Sequence, residues 1–126
     1  MKETLESIQK YLEKVRNAVD SGKYSILHNT KNSALIDKYL VDEAKSKEII
    51  KSVQAEDFSE IVTSEDPRFA GDLLYVFGKQ VELIRRVDFG TDLADLYIKF
   101  DNDDPNVLIV MSLHEQENQI NYMFKK

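Results

Sequence analysis

The sequence predicts an α+β fold in which N-terminal helices pack on one face of a C-terminal antiparallel sheet of about five strands. Two observations support this fold class. Apolar residues recur every three or four positions in the first half of the chain, and they alternate with polar residues after Asp72. Helices followed by a run of strands are typical of α+β proteins. The 126 residues match the common size of one domain, so we expect residues 1–126 to form a single domain.

The first half of the chain predicts three helices. The first helix carries an apolar stripe and ends at Ser21-Gly22; the stripe consists of Leu5, Ile8, Leu12, Val15 and Val19. A short strand over 23–28 and a helix over 33–39 follow, and the stretch 43–53 predicts a third helix with Asp42 as its N-cap.

Two finer expectations concern the packing and the end of this helical half. We expect Leu35, Ile36 and Leu40 to turn inward from the second helix. Apolar residues between 57 and 62 predict one more helical turn, and the polar stretch 64–68 with its proline predicts a loop.

The second half predicts a meander of strands. Strands over 73–77 and 81–87 flank a hairpin loop, Gly78-Lys79-Gln80, and strands over 93–100 and 107–113 flank the turn-rich stretch 101–106. The stretch 119–124 predicts the last strand.

Strand alternation assigns side chains to the two faces of this sheet. The odd positions of 107–113 and the even positions of 95–100 are apolar, which predicts that they face the helices. The opposite, open face then collects polar residues, with Arg86 from the earlier strand among them; the others are Asp95, Tyr97, Lys99, Ser112, His114, Gln119 and Asn121.

Composition excludes several kinds of chemistry. The chain has no cysteine and two histidines, so it has no disulfide, no thiolate chemistry and no cysteine-ligated zinc, and we expect neither a metal nor a cofactor. The stretch Asp101-Asn102-Asp103-Asp104 resembles a calcium loop but lacks the glycine and the downstream glutamate of an EF-hand, which favours a solvated turn. There is no signal peptide or membrane-length apolar run, so we expect a cytoplasmic protein.

The polar face has the group types that cleavage of an RNA phosphodiester needs. A base must take the proton of the 2′-hydroxyl, an acid must protonate the leaving oxygen, and cations must stabilise the charge on phosphorus. His114 suits proton transfer, Lys99 and Arg86 suit the cationic role, and Tyr97 could stack a base or bind phosphate. The alternative is an ordinary solvated sheet face. The net charge of −6 is unlike the basic footprint of most nucleic-acid binders, although 17 Lys and Arg leave room for a local basic site.

Four stretches, 15–24, 48–58, 87–100 and 107–115, resemble in order and spacing the MqsR family of type II toxins. The third ends in Leu96-Tyr97-Ile98-Lys99, like the family's strand with tyrosine and lysine, and the fourth resembles its closing strand. The likeness is closest to diverged members from Gram-positive bacteria and mobile elements. It implies a RelE-like fold, metal-independent cleavage of mRNA and a cognate antitoxin as partner.

The resemblance also implies roles for individual residues. The family's strand tyrosine falls on Tyr97, and a family lysine falls on His114, which keeps proton-transfer capacity. Two further family positions, a lysine and a glutamine, fall on Glu60 and near Gly71.

The resulting hypothesis is an mRNA endoribonuclease. Its catalytic residues are His114, Tyr97 and Arg86, and its substrate-binding residues are Lys99 and Lys79. The alternative is a non-catalytic inhibitor from a phage or mobile element, whose acidic surface engages a basic nucleic-acid-processing enzyme.

Overall fold

The computed structural model describes residues 3–125 and contains three α-helices and one five-stranded sheet in that part of the chain. The helices are α1 (Leu5–Asp20), α2 (Thr30–Lys38) and α3 (Glu43–Ser52). The strands are β1 (Tyr24–Ile26), β2 (Phe58–Thr63), β3 (Leu73–Ile84), β4 (Thr91–Asp101) and β5 (Leu108–Glu115). They form one sheet in the order β1-β5-β4-β3-β2. The predicted α+β class is confirmed.

α1 forms because its apolar stripe can be buried against the sheet. Thr4 caps the helix by accepting a hydrogen bond from the Ser7 backbone N–H, and the stripe residues Ile8, Leu12, Val15 and Val19 are all buried. They share one hydrophobic core with apolar residues of α3 and of the sheet. The first residue of the predicted stripe, Leu5, is exposed instead.

The sheet is mixed rather than wholly antiparallel. β1 comes from the N-terminal half and pairs in parallel with β5, with Tyr24 opposite Leu108. All other neighbouring strands are antiparallel. The short strand predicted over 23–28 therefore exists, and it joins the two halves of the chain.

Three predicted elements between residues 57 and 124 are wrong. The stretch 57–62 forms only a single 3-10 turn at Ala55–Asp57 and then β2. Gly78-Lys79-Gln80 is the middle of the continuous strand β3, and the chain turns at 85–90, where Phe89 has a φ of 60°. The stretch 119–124 is not a strand, although the Met123 N–H donates to the Phe58 carbonyl.

A β-bulge in β5 changes which residues face the core. Lys99 pairs with Ser112 but Phe100 pairs with Val110, so Met111 is the extra residue. Leu108 and Val110 are therefore the buried core residues at the start of β5, not Val107 and Ile109. Beyond the bulge the predicted alternation holds, and Leu113 faces the core.

The packing of α2 also differs from the prediction. Leu35 is buried as expected, whereas Ile36 and Leu40 are 43% and 38% exposed. Tyr39 fills the core at this point, and its hydroxyl donates a 2.8 Å hydrogen bond to Asp92.

Among residues 3–125, no helix is long and apolar enough to cross a lipid bilayer.

Candidate functional site

The open face of the sheet carries a groove with a volume of about 1100 Å³. β3, β4 and β5 form its floor. β2 with the following loop forms one wall and the start of α2 forms the other. The tail segment 117–121 runs between them, from the Lys31–Glu117 ion pair to the hydrogen bond that Ser59 donates to the Asn121 carbonyl. Six of the polar residues that the sequence predicted for the open face line this groove: Tyr97, Lys99, Ser112, His114, Gln119 and Asn121.

Strand register brings three predicted site residues together on the floor. Tyr97 pairs with His114, and its neighbour on the same face, Lys99, pairs with Ser112. Directly opposite residues of an antiparallel pair point to the same side of the sheet. Tyr97, Lys99 and His114 therefore share one surface, as the sequence predicted.

His114 is held in a defined orientation. Its side chain is only 9% exposed, and its ring stacks on Tyr97 with a centroid separation of 5.3 Å and an interplanar angle of 16°. Nδ1 lies 2.8 Å from the Glu115 carbonyl oxygen. A carbonyl oxygen can only accept, so Nδ1 carries the proton and donates it. In the neutral imidazole, Nε2 then has the free lone pair that a general base needs.

Lys99 is a cation without a carboxylate partner among residues 3–125. Its Nζ lies 5.7 Å from the centroid of the Tyr97 ring, and burial, with a smaller contribution from the charge of Lys31, lowers its pKa. Burial, reinforced by the charge of Glu60, raises the pKa of Tyr97, which keeps the phenol neutral. A partly buried ammonium in this position would gain from an anionic ligand.

Lys31 lines the groove, although it is not among the site residues predicted from sequence. It lies in the first turn of α2, after the N-cap Asn29, and its Nζ forms a 2.5 Å ion pair with Glu117 of the tail. The helix N-terminus adds a partial positive charge to this wall. Only tertiary structure brings α2 to the sheet's open face, so no local signal marks Lys31.

Acidic residues line the groove as well. Glu60, Glu65 and Asp66 belong to β2 and the loop after it, and Glu117 belongs to the tail. Asp66 is neutralised by Arg68 at 2.8 Å, which also lowers the pKa of Asp66. The groove thus combines a small basic centre with an acidic rim.

Arg86 does not belong to this site. It follows β3, where its backbone N–H donates to the Lys38 carbonyl and its Nε donates to the Ile36 carbonyl at 2.5 Å. These contacts hold it at the C-terminal end of α2. Gly78 pairs with Tyr97, and the six residue steps from Gly78 to Ile84 alone carry β3 roughly 20 Å away from Tyr97 before Arg86 is reached. Its predicted catalytic role is therefore wrong for this groove.

Lys79 does not belong to the groove either. It pairs with Leu96, a core residue, so its side chain lies on the helix side of the sheet. There its Nζ is 3.4 Å from the carboxylate of Asp57. The prediction failed because Gly78-Lys79-Gln80 was interpreted as a loop.

Of the two remaining family positions, Glu60 lines the groove and Gly71 lies in the loop before β3 with a φ of 85°.

The groove shows no cluster of metal-ligating side chains among residues 3–125. The cluster with suitable spacing in that part of the chain is Asp72, Asp101 and Asp103, and none of the three lines the groove.

Comparisons of the chain with protein-family models, with curated proteins and with solved structures found no match. The resemblance to the MqsR family stays a prediction.

Proposed function

We propose that this protein is the toxin of a type II toxin–antitoxin module, and that its groove cleaves mRNA in the cytoplasm without a metal. One observation carries the proposal: an imidazole with its Nδ1 fixed by a backbone carbonyl and an unpaired lysine both lie against the Tyr97 ring in an open groove. The resemblance to the MqsR family supports the same activity, and it names a cognate antitoxin as the partner.

The proposed reaction is a transesterification within the RNA. Nε2 of His114 takes the proton of a 2′-hydroxyl, the 2′-oxygen forms a bond to phosphorus, and the bond from phosphorus to the 5′-oxygen breaks. Lys99 stabilises the negative charge that builds up on the phosphoryl oxygens. The imidazolium then returns its proton to the leaving 5′-oxygen. The products are a 2′,3′-cyclic phosphate and a 5′-hydroxyl.

The test replaces each of the two histidines separately. His114→Ala should lower RNA cleavage by roughly two to four orders of magnitude. His28→Ala is the matched control, because His28 is exposed and lies outside the groove. Cleavage should continue in EDTA. Equal activity of the two variants would refute the role of His114.

Growth provides a second measurement. Induced expression should arrest growth and produce transcripts with 5′-hydroxyl ends, and co-expression of an adjacent antitoxin gene should restore growth. The His114→Ala variant should be tolerated without the antitoxin. Arrest by that variant would show that toxicity does not come from the groove.

The acidic rim favours one alternative function. Glu60, Glu65 and Glu117 border the groove, and the whole chain carries a net charge of −6. Such a surface suits a non-catalytic inhibitor that binds the basic site of a nucleic-acid-processing enzyme. In that case wild-type protein neither cleaves RNA nor arrests growth by cleavage, and His114→Ala leaves binding of the enzyme unchanged.

A further inference from the structure

Three aspartates from separate parts of the chain meet where β3 begins and β4 ends. Asp72 directly precedes β3, Asp101 is the last residue of β4, and Asp103 lies in the following loop. One carboxylate oxygen of each lies within 4.8 Å of the other two. None of the three forms an ion pair with a lysine or arginine among residues 3–125. Three carboxylates so close together repel one another unless a cation or a proton lies between them.

A second observation concerns hydrogen bonding. Residues 3–125 contain two buried side-chain oxygens without a hydrogen-bond partner, Asp101 Oδ2 and the Tyr11 hydroxyl. Asp101 itself is only 3% exposed. Burial and the charge of Tyr75 raise the pKa of the Tyr11 hydroxyl, and the charges of Asp101 and Asp103 raise it further. Buried oxygens without partners are rare, and one that belongs to a cluster of three carboxylates indicates a missing ligand.

We propose that Asp72, Asp101 and Asp103 bind a hard divalent cation, with Ca²⁺ as the best fit. Ca²⁺ takes six to eight oxygens at about 2.3–2.6 Å, so the oxygens around it lie up to about 5 Å apart, as they do here. Mg²⁺ usually binds through one or two carboxylates and keeps its waters. The bound cation supplies Asp101 Oδ2 with a partner and fastens the 101–106 loop to the start of β3.

The site is separate from the groove, so this inference does not rest on the proposed function. The cation stabilises the fold and does not take part in RNA cleavage. The stretch 101–104 lacks an EF-hand pattern, so its sequence alone predicts a solvated turn. Asp72, which completes the cluster, comes from about 30 residues earlier, where no local motif could include it.

Thermal unfolding of the full chain tests the site. Protein freed of metal with EDTA and dialysed should gain roughly 10 °C in Tm when Ca²⁺ exceeds its Kd a hundredfold. Mg²⁺ should give a smaller gain. Asp72→Asn and Asp103→Asn should abolish the gain. Asp104→Asn is the matched control, since Asp104 lies in the same loop outside the cluster and should keep the full gain.

Terbium luminescence provides a second measurement that does not depend on unfolding. The chain has no tryptophan, so a tyrosine must sensitise bound Tb³⁺. Tyr11 and Tyr75 stack on each other, and the charge of Asp103 adds to burial in raising the pKa of both. Excitation of tyrosine should produce Tb³⁺ emission that Ca²⁺ displaces and that Asp103→Asn removes. Tyr11→Phe should weaken the emission.

Two outcomes would overturn the inference. Wild-type protein has no cation site if its Tm does not depend on Ca²⁺ and if it gives no sensitised Tb³⁺ emission. An increase in stability from Asp101→Asn would then show that Asp72 and Asp101 share a proton instead. Equal Ca²⁺ responses of Asp103→Asn and Asp104→Asn would show that the ion acts on the acidic surface in general.

Discussion

At the scale of single residues, the ring of Tyr97 organises the groove floor. His114 stacks on it and the Lys99 ammonium lies over it, so the ring positions both groups. We expect Tyr97→Phe, which keeps the ring, to change kcat for RNA cleavage by less than about threefold. Tyr97→Ala should lower it at least tenfold, as loss of orientation does in enzymes. A large loss in Tyr97→Phe would instead assign a phosphate contact to the hydroxyl.

Asp101 should make stability depend on pH in the absence of a cation. Burial, together with the contact and charge of Asp72, raises the pKa of Asp101 to about 6 from an ordinary 3.8. The folded state then binds more protons than the unfolded state between about pH 4 and 6, so the raised pKa makes folding less favourable as pH increases through that range. In EDTA, urea unfolding should show that Asp101→Asn gains on the order of 1–2 kcal/mol relative to wild type between pH 5 and pH 7. A difference that does not change with pH would contradict this assignment.

At the scale of elements, Gly78 allows the C-terminal tail to lie on the sheet. A Cβ at this position would come within 2.5 Å of the Tyr122 hydroxyl and 2.8 Å of Ile120 Cδ1. A glycine inside a strand often marks such a close approach. Gly78→Val should displace the tail, cost roughly 1–3 kcal/mol in urea unfolding and open residues 117–122 to proteolysis. Gln80→Val, on the same face two residues away, should do neither; equal effects would show that the tail does not depend on Gly78.

The same elements show what the sequence could predict. α1 and the end of β5 follow regular periods, so Val15 and His114 were assigned to the correct faces. The run from Val107 to Met111 is apolar throughout, so no alternation of polar and apolar residues shows which side chains face the core or where the bulge lies. Gly78 was interpreted as a turn residue, although the reason for a glycine at this position is the distant tail. That error also misplaced Lys79, and the failure at Arg86 has a similar origin, since the turn lies at 85–90.

At the scale of the whole molecule, one hydrophobic core joins the helical half to the sheet. Leu12 of α1, Ile49 of α3 and Phe100 of β4 all belong to it. The pairing of β1 with β5 adds backbone hydrogen bonds between the two halves. Both the floor and the α2 wall of the groove therefore depend on the same folded unit. This explains why periodicity could locate Tyr97, Lys99 and His114 on the floor, whereas Lys31 required the tertiary structure.

The charge of the whole molecule should limit how RNA binds. The net charge is −6, and Lys99 and Lys31 are the lysines that line the groove among the described residues. About two neutralised phosphates predict a slope of log K against log salt near −1.4 for single-stranded RNA, far shallower than for basic nucleic-acid binders. Glu60→Lys should tighten binding and steepen the slope by about 0.7 units, since it places a third lysine in the groove. Leu5→Lys, which adds a positive charge on α1 outside the groove, is the control and should leave the slope nearly unchanged. A slope that is steep in wild type would place the RNA on another surface, and binding that Glu60→Lys weakens would favour a basic protein as the partner of the acidic rim.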